Sequence, residues 1–246
     1  MNLAECREVH VNMPIWRYMD FASFYFLLYS RTLFFRRIDK YSDEYEGALP
    51  DELKTYLLHY FSSGPFKDTE ATEKFIARLK EFNTGTLSNS WMLGSKESYA
   101  MWKIYLRGSQ EGIAIKTTTN KLKSALAHNK VDFTFAKVTY GVLPWRDTDY
   151  KSLAACKTEP YAYENELRVL VYDQFTSETK SIDIFPKAPL YDIGCAYSVD
   201  LENLIDTIHI SPFAGSWFNE IVTSSLQHFL PSFDMSNVLK SGIKDR

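Results

Sequence analysis

The chain has 246 residues, of which 45% are hydrophobic and 15% aromatic, which is ample material for a folded core and excludes a disordered chain. The formal net charge of −3 provides no overall basic field, so the composition does not indicate a nucleic-acid-binding protein. The three cysteines, Cys6, Cys156 and Cys195, are an odd number without paired spacing. This spacing supports neither a disulfide framework nor a zinc site, and the sequence predicts no metal ligand set.

The N-terminal segment, residues 1–13, is polar and has no apolar run of signal-peptide length. No stretch of the chain approaches the length of a membrane span. These features predict a soluble cytoplasmic protein that does not contact a membrane. Internal repeats and low-complexity linkers are absent from the sequence, which predicts one domain over residues 1–246 with a polar tail over 234–246.

The predicted elements of the first third are strands at residues 14–19 and 32–37, and helices at 21–30, 51–63 and 68–83. Asp20 is in position to cap the first helix, which is apolar nearly all round and therefore suits a buried site. An acidic loop, DKYSDEYEG, follows the second strand over residues 39–47.

The remaining predicted elements mix short strands with helices. Strands are predicted at 86–92, 112–116, 133–140, 161–172, 180–186 and 196–199, and helices at 96–106, 121–128, 153–157, 201–207 and 217–229. A weak strand is expected in the tail. This mixture predicts an α+β fold with a mixed or antiparallel sheet and flanking helices.

The predicted strand Tyr161–Tyr172, YAYENELRVLVY, carries an unusual group of charges. Because side chains alternate along a strand, Glu164, Glu166 and Arg168 would share one face. Two carboxylates beside a guanidinium form either a solvated structural charge ladder or part of a functional cleft.

Several segments of the chain, taken in order, resemble a bacterial family known only as domain of unknown function 2971. These segments are WRYMD at 16–20, LFFRRIDKYSDEYEG at 33–47, SNSWM with SYAMWKIYLRGSQEGIAIKTT within 88–118, YAYENELRVLVY at 161–172 and LIDTIHISP at 204–212. They cover most of the chain in the expected order. The family label implies no activity by itself.

The chain also resembles ADP-ribosyltransferases, which carry Arg or His on an early strand, a serine-containing strand, and a late strand with Glu, often as Glu-x-Glu. Arg17, then Ser88 or Ser90, then Glu164-x-Glu166 follow this order. Asn89 stands between the serines, where the usual pattern is Ser-Thr-Ser. The resemblance implies NAD as the substrate, a macromolecular acceptor that the sequence does not identify, and a role in bacterial defence or toxin biology.

The resemblance assigns the chemistry to two carboxylates. Cleavage of the nicotinamide–ribose bond passes through an oxocarbenium-like state, which a carboxylate beneath the ribose stabilises. Glu166 is expected in this role, with a hydrogen bond to the 2′-hydroxyl. Glu164 would orient or deprotonate the accepting nucleophile.

The expected binding residues surround these carboxylates. Arg17, with the adjacent Tyr18, would hold the pyrophosphate through bidentate guanidinium contacts. The alternative for Arg17 is a salt bridge to Asp20, Asp43 or Glu46.

Ser88 and Ser90 would orient the amide or the ribose beside Arg168, or else be merely exposed. Tyr99, Trp102 and Tyr105, spaced at i, i+3 and i+6, would line a pocket and stack on a base, or else belong to the core.

Two other functions fit the same residues. A non-catalytic module would hold a small-molecule nucleotide or a peptide, with the carboxylates only orienting it. A metal-dependent nuclease would use Asp43, Glu164 and Glu166, but the chain is not basic and lacks a carboxylate-x-Lys arrangement. Convergence of Arg17, the serines and Glu166 in space favours an enzyme, and dispersal favours the module.

Overall fold

The computed structural model describes residues 11–41, 84–141, 154–172 and 193–244, together with Val9, Thr55 and His59. The predicted strand over 180–186 and the predicted helix over 68–83 lie outside the described residues, as do Asp43 and Glu46. Of the predicted helix over 51–63, the described residues Thr55 and His59 are both helical.

Nine of the described strands form one sheet in the order β11-β10-β4-β1-β3-β2-β9, with β8 paired to β3 and β5 paired to β8. The strands are β1 (Pro14–Asp20), β2 (Thr32–Arg37), β3 (Thr86–Leu93), β4 (Gly112–Thr118), β5 (Phe133–Lys137), β6 (Thr139–Tyr140), β7 (Cys156–Lys157), β8 (Glu166–Tyr172), β9 (Gly194–Ser198), β10 (Thr207–Ile210) and β11 (Val238–Lys240). The sheet is antiparallel except for the pair β10–β11, and β6 and β7 form a separate parallel pair. The predicted α+β fold with a mixed sheet is therefore confirmed.

The described helices pack on both faces of this sheet. They are α1 (Phe21–Ser30), α2 (Tyr99–Leu106), α3 (Thr119–Leu126), α4 (Leu201–Leu204) and α5 (Phe218–Phe229), with 3₁₀ helices at Ile38–Lys40, Glu159–Glu164 and Met235–Asn237. Within this part of the chain, no helix has the length and apolarity needed to cross a membrane.

Strand β1 shows how period-two alternation divides the core. Ile15 and Met19 point into the main cluster, which also receives side chains of α1, α3 and α5. Trp16 and Tyr18 point into a second cluster on the opposite face, beneath α2. Helix α1 begins where predicted, because the Asp20 carboxylate accepts a hydrogen bond of 2.7 Å from Ser23 N.

Three predicted elements differ from the structure around the charged segment. The predicted strand over 161–172 begins only at Glu166, because a 3₁₀ helix over Glu159–Glu164, with Pro160 in its first turn, precedes it. This helix ends at Asn165, whose φ is 40°. The predicted helix over 153–157 is wrong at its end, where Cys156–Lys157 is strand β7. The predicted strand over 133–140 is broken at Val138, whose N–H donates to Glu166 O instead.

Gly112 lies where α2 crosses the sheet, and no larger residue fits there. A Cβ at this position would lie 2.1 Å from Leu106 Cδ2 and 2.6 Å from the backbone oxygen of Met19. We expect Gly112→Ala to lower the free energy of unfolding by about 1–3 kcal/mol, measured by urea denaturation, because the backbone must move. Gly242→Ala is the matched control, since its Cβ would meet only Glu97 Oε1, at 3.6 Å. Equal stability of the two variants would contradict this close packing.

Candidate functional site

Strand β3 has two different neighbours along one edge. At its start β3 pairs with β2, Arg36 opposite Ser88, and at its end it pairs with β1, Trp16 opposite Met92. Its other edge pairs with β8 along the full length of that strand. The two short ladders leave a gap beside residues 89–91, and the side chain of Arg17 lies in it.

Arg17 is held in this gap by uncharged acceptors. Its Nη1 donates to Ser90 O at 2.7 Å and to Asn89 Oδ1 at 3.1 Å, and its Cζ lies 5.6 Å from the Trp91 ring centroid. Asn89 also accepts a hydrogen bond of 2.7 Å from Trp91 Nε1 and donates one of 2.8 Å to Phe34 O. The asparagine that departs from the Ser-Thr-Ser pattern therefore orients Arg17.

The predicted salt bridge between Arg17 and Asp20 is wrong, because the Asp20 carboxylate caps α1. Among the described residues, no carboxylate lies within ion-pair distance of Arg17. Burial lowers the pKa of the Arg17 guanidinium, which still remains charged at neutral pH. A desolvated cation whose described acceptors are uncharged is suited to binding an anion.

A group of four buried charges, Lys157, Glu164, Glu166 and Arg168, lies around the start of strand β8; we call it the ion cluster. Lys157 Nζ lies 2.7 Å from Glu164 Oε2 and 3.3 Å from Glu166 Oε2. Arg168 donates from Nε to Glu166 Oε1 at 2.9 Å, and from Nη1 to Ala154 O at 2.7 Å. The exposed fraction of Arg168 is 0% and that of Glu166 is 3%. The solvated charge ladder is therefore wrong, because these charges are buried.

Glu164 and Glu166 come close together through a contact that the sequence did not predict. Glu164 is not on the strand but in the 3₁₀ helix before it. Lys157, from the adjacent short strand β7, contacts both carboxylates and so brings Glu164 and Glu166 together.

Glu166 is ionised at neutral pH. Burial by itself raises the pKa of this carboxyl, but the charges of Arg168 and Lys157 outweigh burial and lower the pKa from 4.5 to about 2. The Ser90 hydroxyl lies beside the carboxylate and contributes to the same shift, although its oxygen makes no well-formed hydrogen bond among the described residues.

The register of β3 against β8 places the serines beside the ion cluster. Ser90 lies opposite Arg168, Ser88 lies opposite Leu170, and directly opposed residues project from the same face. Ser88 is buried, so the expectation of an exposed hydroxyl is wrong for it. Its hydroxyl, like that of Ser90, has no hydrogen-bond partner within the described part of the chain.

Of the three predicted aromatic residues Tyr99, Trp102 and Tyr105, Tyr105 is the one that faces this site. Burial and the charges of Glu164 and Glu166 raise the pKa of its phenol, while Arg17 and Lys157 act in the opposite direction. The hydroxyl is thus within electrostatic range of all four charges. Strand β3 therefore has Arg17 bound to the backbone oxygen of Ser90 in the sheet gap, while the Ser90 side chain shares a face with Arg168 and Glu166.

The other predicted aromatic residues lie elsewhere. Trp102 and Tyr18 are buried in the second cluster, where their rings meet edge to face at 4.9 Å. Tyr18 Oη accepts a hydrogen bond from Ser98 N at 2.8 Å. Tyr99 is partly exposed against Phe213, at 5.7 Å between ring centroids. For Trp102 the core interpretation is the one that the structure supports.

Sequence reasoning missed Lys157, Tyr41 and Tyr140. The Arg168 guanidinium lies 5.2 Å from the centroid of the Tyr41 ring, and Tyr140 Oη accepts from Glu166 N at 2.8 Å. Lys157 had no recognisable signal because its segment was predicted to be helical. Within the described residues, no group of three His, Cys, Asp or Glu side chains is arranged to hold a metal ion.

Comparisons with protein-family models, with curated proteins and with solved structures gave no match to this chain. Both resemblances noted in the sequence therefore stay predictions. The site itself is a gap in the sheet that holds the half-buried Arg17 beside the ion cluster. Among the described residues, this site contains three cations, Arg17, Lys157 and Arg168, and two carboxylates, Glu164 and Glu166.

Proposed function

We propose that this protein binds NAD and cleaves its nicotinamide–ribose bond, as an ADP-ribosyltransferase or an NAD glycohydrolase. The observation that carries this proposal is the meeting of Arg17, Ser90 and Glu166 at one strand. Arg17 donates to Ser90 O at 2.7 Å, and Ser90 lies opposite Arg168, the residue that binds Glu166. The position of Arg17 and of the ion cluster beside the same residue of β3 supports the proposal, because the chemistry requires the arginine, a serine and the carboxylate to lie close together.

The charge states suit the same chemistry. Glu166, with a pKa of about 2, is ionised at neutral pH, as a carboxylate that stabilises an oxocarbenium-like ribose must be. Arg17 has guanidinium N–H groups beyond those it uses in the sheet gap, and these match a pyrophosphate.

Both oxygens of Glu166 are already engaged, and this observation favours a second candidate. Arg168 binds Oε1, and Lys157 with Arg168 Nη2 binds Oε2. In a non-catalytic nucleotide-binding module these contacts of Glu166 would only be structural. In an enzyme the same contacts hold the carboxylate in position before the substrate arrives.

The NAD-cleaving proposal is tested by incubating the protein with NAD at about 1 mM, the upper end of common KM values. We expect wild type to consume NAD, and Glu166→Gln to reduce kcat by about 10²–10³-fold while NAD binding persists. Glu111→Gln, in the turn before β4, is the matched control and keeps full activity. Thermal unfolding of each variant reports whether its fold is intact.

Arg17→Lys keeps the charge but removes the bidentate geometry, so we expect it to weaken NAD binding without changing the fold. Labelled NAD with a cell lysate separates the two activities, since label on macromolecules means transfer and free ADP-ribose means hydrolysis. NAD binding without consumption supports the module and overturns the enzyme. Absence of both binding and consumption in a folded protein overturns both.

A further inference from the structure

The side chain of Asn89 joins strands β1 and β2 across the sheet gap beside residues 89–91. Its Nδ2 donates to Phe34 O at 2.8 Å, while its Oδ1 accepts from Arg17 Nη1 at 3.1 Å and from Trp91 Nε1 at 2.7 Å. Only 2% of Asn89 is exposed. The amide therefore serves as both donor and acceptor in a buried position, as a backbone peptide group does.

An amide is the group of this shape that meets both demands. The carbonyl oxygen of Phe34 requires a donor, and the N–H groups of Arg17 and Trp91 require an acceptor. An aspartate at this position would have the same shape, but its carboxylate only accepts and would face Phe34 O without a proton to donate. It would also place a negative charge at hydrogen-bond distance from Arg17 Nη1. Asparagine thus orients Arg17 without neutralising it.

The remaining donors of Arg17 are open to a ligand. Within the described part of the chain, its Nε and Nη2 make no hydrogen bond, and neither nitrogen is among the buried atoms that lack a partner, so solvent reaches both. The N–H groups on these two nitrogens form a fork that matches two oxygens of one phosphate. The Trp91 ring, whose centroid lies 5.6 Å from Arg17 Cζ, restricts the guanidinium further.

We propose that Asn89 is a positioning residue, which keeps Arg17 oriented and without a counter-charge so that Arg17 binds a diphosphate group. This role rests on the proposed function, because the diphosphate in question is that of NAD. Asn89 acts only through Arg17, which holds the ligand before and during the reaction. Asn89→Ala should therefore raise KM for NAD while kcat stays nearly constant.

The test is the dissociation constant of inorganic pyrophosphate and that of NAD, each measured with the full chain by isothermal titration calorimetry. Asn89→Asp is expected to weaken the binding of both at least about 100-fold, because the introduced carboxylate pairs with Arg17 and repels the anion. Asn89→Ala removes the contacts without adding a charge, so a weakening of about 3–10-fold is expected. A merely structural role would give the reverse order, since aspartate keeps more of the contacts than alanine does.

Asn129→Asp is the matched control. The Asn129 amide also donates to backbone oxygens, those of Leu126 and Ser198, both at 2.9 Å, but it lies just after helix α3 and makes no contact with Arg17. We expect this variant to bind pyrophosphate and NAD like wild type. Thermal melting of each variant shows whether it is folded. If Asn89→Asp has no cooperative melt, Asn89→Ala decides alone, and an unchanged dissociation constant in it overturns the role of Asn89.

The outcomes separate this role from the proposed function. If wild type binds NAD and a folded Asn89→Asp binds it equally well, the role of Asn89 is overturned and the proposed function stands. Binding of NAD without binding of pyrophosphate has the same meaning, because the diphosphate would then not be held by Arg17. A wild-type chain that binds neither ligand overturns both.

Discussion

Glu166→Ala is expected to lower the free energy of unfolding by about 3–5 kcal/mol. The carboxylate binds Arg168 through two nitrogens, at 2.9 and 3.3 Å, and lies 3.3 Å from Lys157 Nζ. Arg168 is fully buried, so removing Glu166 leaves a desolvated guanidinium without that counter-charge. Urea denaturation with a common slope for wild type and variant measures the change.

A double-mutant cycle separates the ion pair from the general effect of changing a buried residue. Glu166→Gln and Lys157→Met are each expected to lower the free energy of unfolding. The loss in the double variant should be smaller than the sum of the two single losses by about 1–3 kcal/mol. The control cycle uses Arg31 and Glu202, an ion pair whose side chains are 41% and 46% exposed, for which a coupling below about 1 kcal/mol is expected. Additive costs in the first cycle would show that the cluster does not act as a unit.

The same carboxylate gives the stability a defined pH dependence. The pKa of Glu166 is depressed from 4.5 to about 2 in the folded chain. The stabilisation by ionised Glu166 is therefore complete at pH values above its pKa in the unfolded chain, and it is lost as the pH falls through its pKa in the folded chain. A shift of this size corresponds to about 3 kcal/mol, lost between about pH 5 and pH 2. The free energy of unfolding, measured across this interval, should fall more steeply with decreasing pH in wild type than in Glu166→Gln.

The fold was predictable where local pattern decides the structure. Period-two alternation located β1 and β3, and the Asp20 cap located the start of α1. The pattern failed before β8, where Pro160 and Asn165 build a 3₁₀ helix inside an alternating sequence. The pairing of β3 with both β1 and β2 could not be predicted from the sequence, because it joins segments that are far apart in the chain.

The site was predictable in its residue types and not in its contacts. Arg17, Glu164 and Glu166 were named from a resemblance, but their meeting depends on strand register and on Lys157. Asn89 looked like a departure from a motif, and it holds Arg17 in the sheet gap. Such contacts follow from three-dimensional packing, on which a linear pattern carries no information.

Glu97 joins three distant parts of the chain, and its loss is expected to have the second large effect. Its carboxylate accepts hydrogen bonds from Trp102 Nε1 at 3.1 Å, from Gly242 N at 2.9 Å and from Ser241 Oγ, and lies 3.3 Å from His209 Nδ1. Burial raises the pKa of Glu97, but these contacts, the one with His209 foremost, outweigh burial and lower it to about 2. The ionised side chain thus ties the start of α2, strand β10 and the C-terminal segment together.

Glu97→Ala is expected to lower the free energy of unfolding by about 3–5 kcal/mol, because the buried Trp102 indole and the donors of the C-terminal segment lose one charged acceptor. Hydrogen exchange gives a local signature as well, since the Gly242 amide donates to Glu97 and should lose its protection first. Glu97→Gln keeps an acceptor oxygen without the charge, so an intermediate loss of unfolding free energy is expected. The control Glu111→Gln should change neither the free energy of unfolding nor the exchange of the Gly242 amide. Unchanged exchange at Gly242 in Glu97→Ala would mean that the C-terminal segment is held by packing of Ile243 against the second cluster instead. In that case truncation after Lys240, and not loss of the carboxylate, would be the change that exposes Trp16 and Trp102.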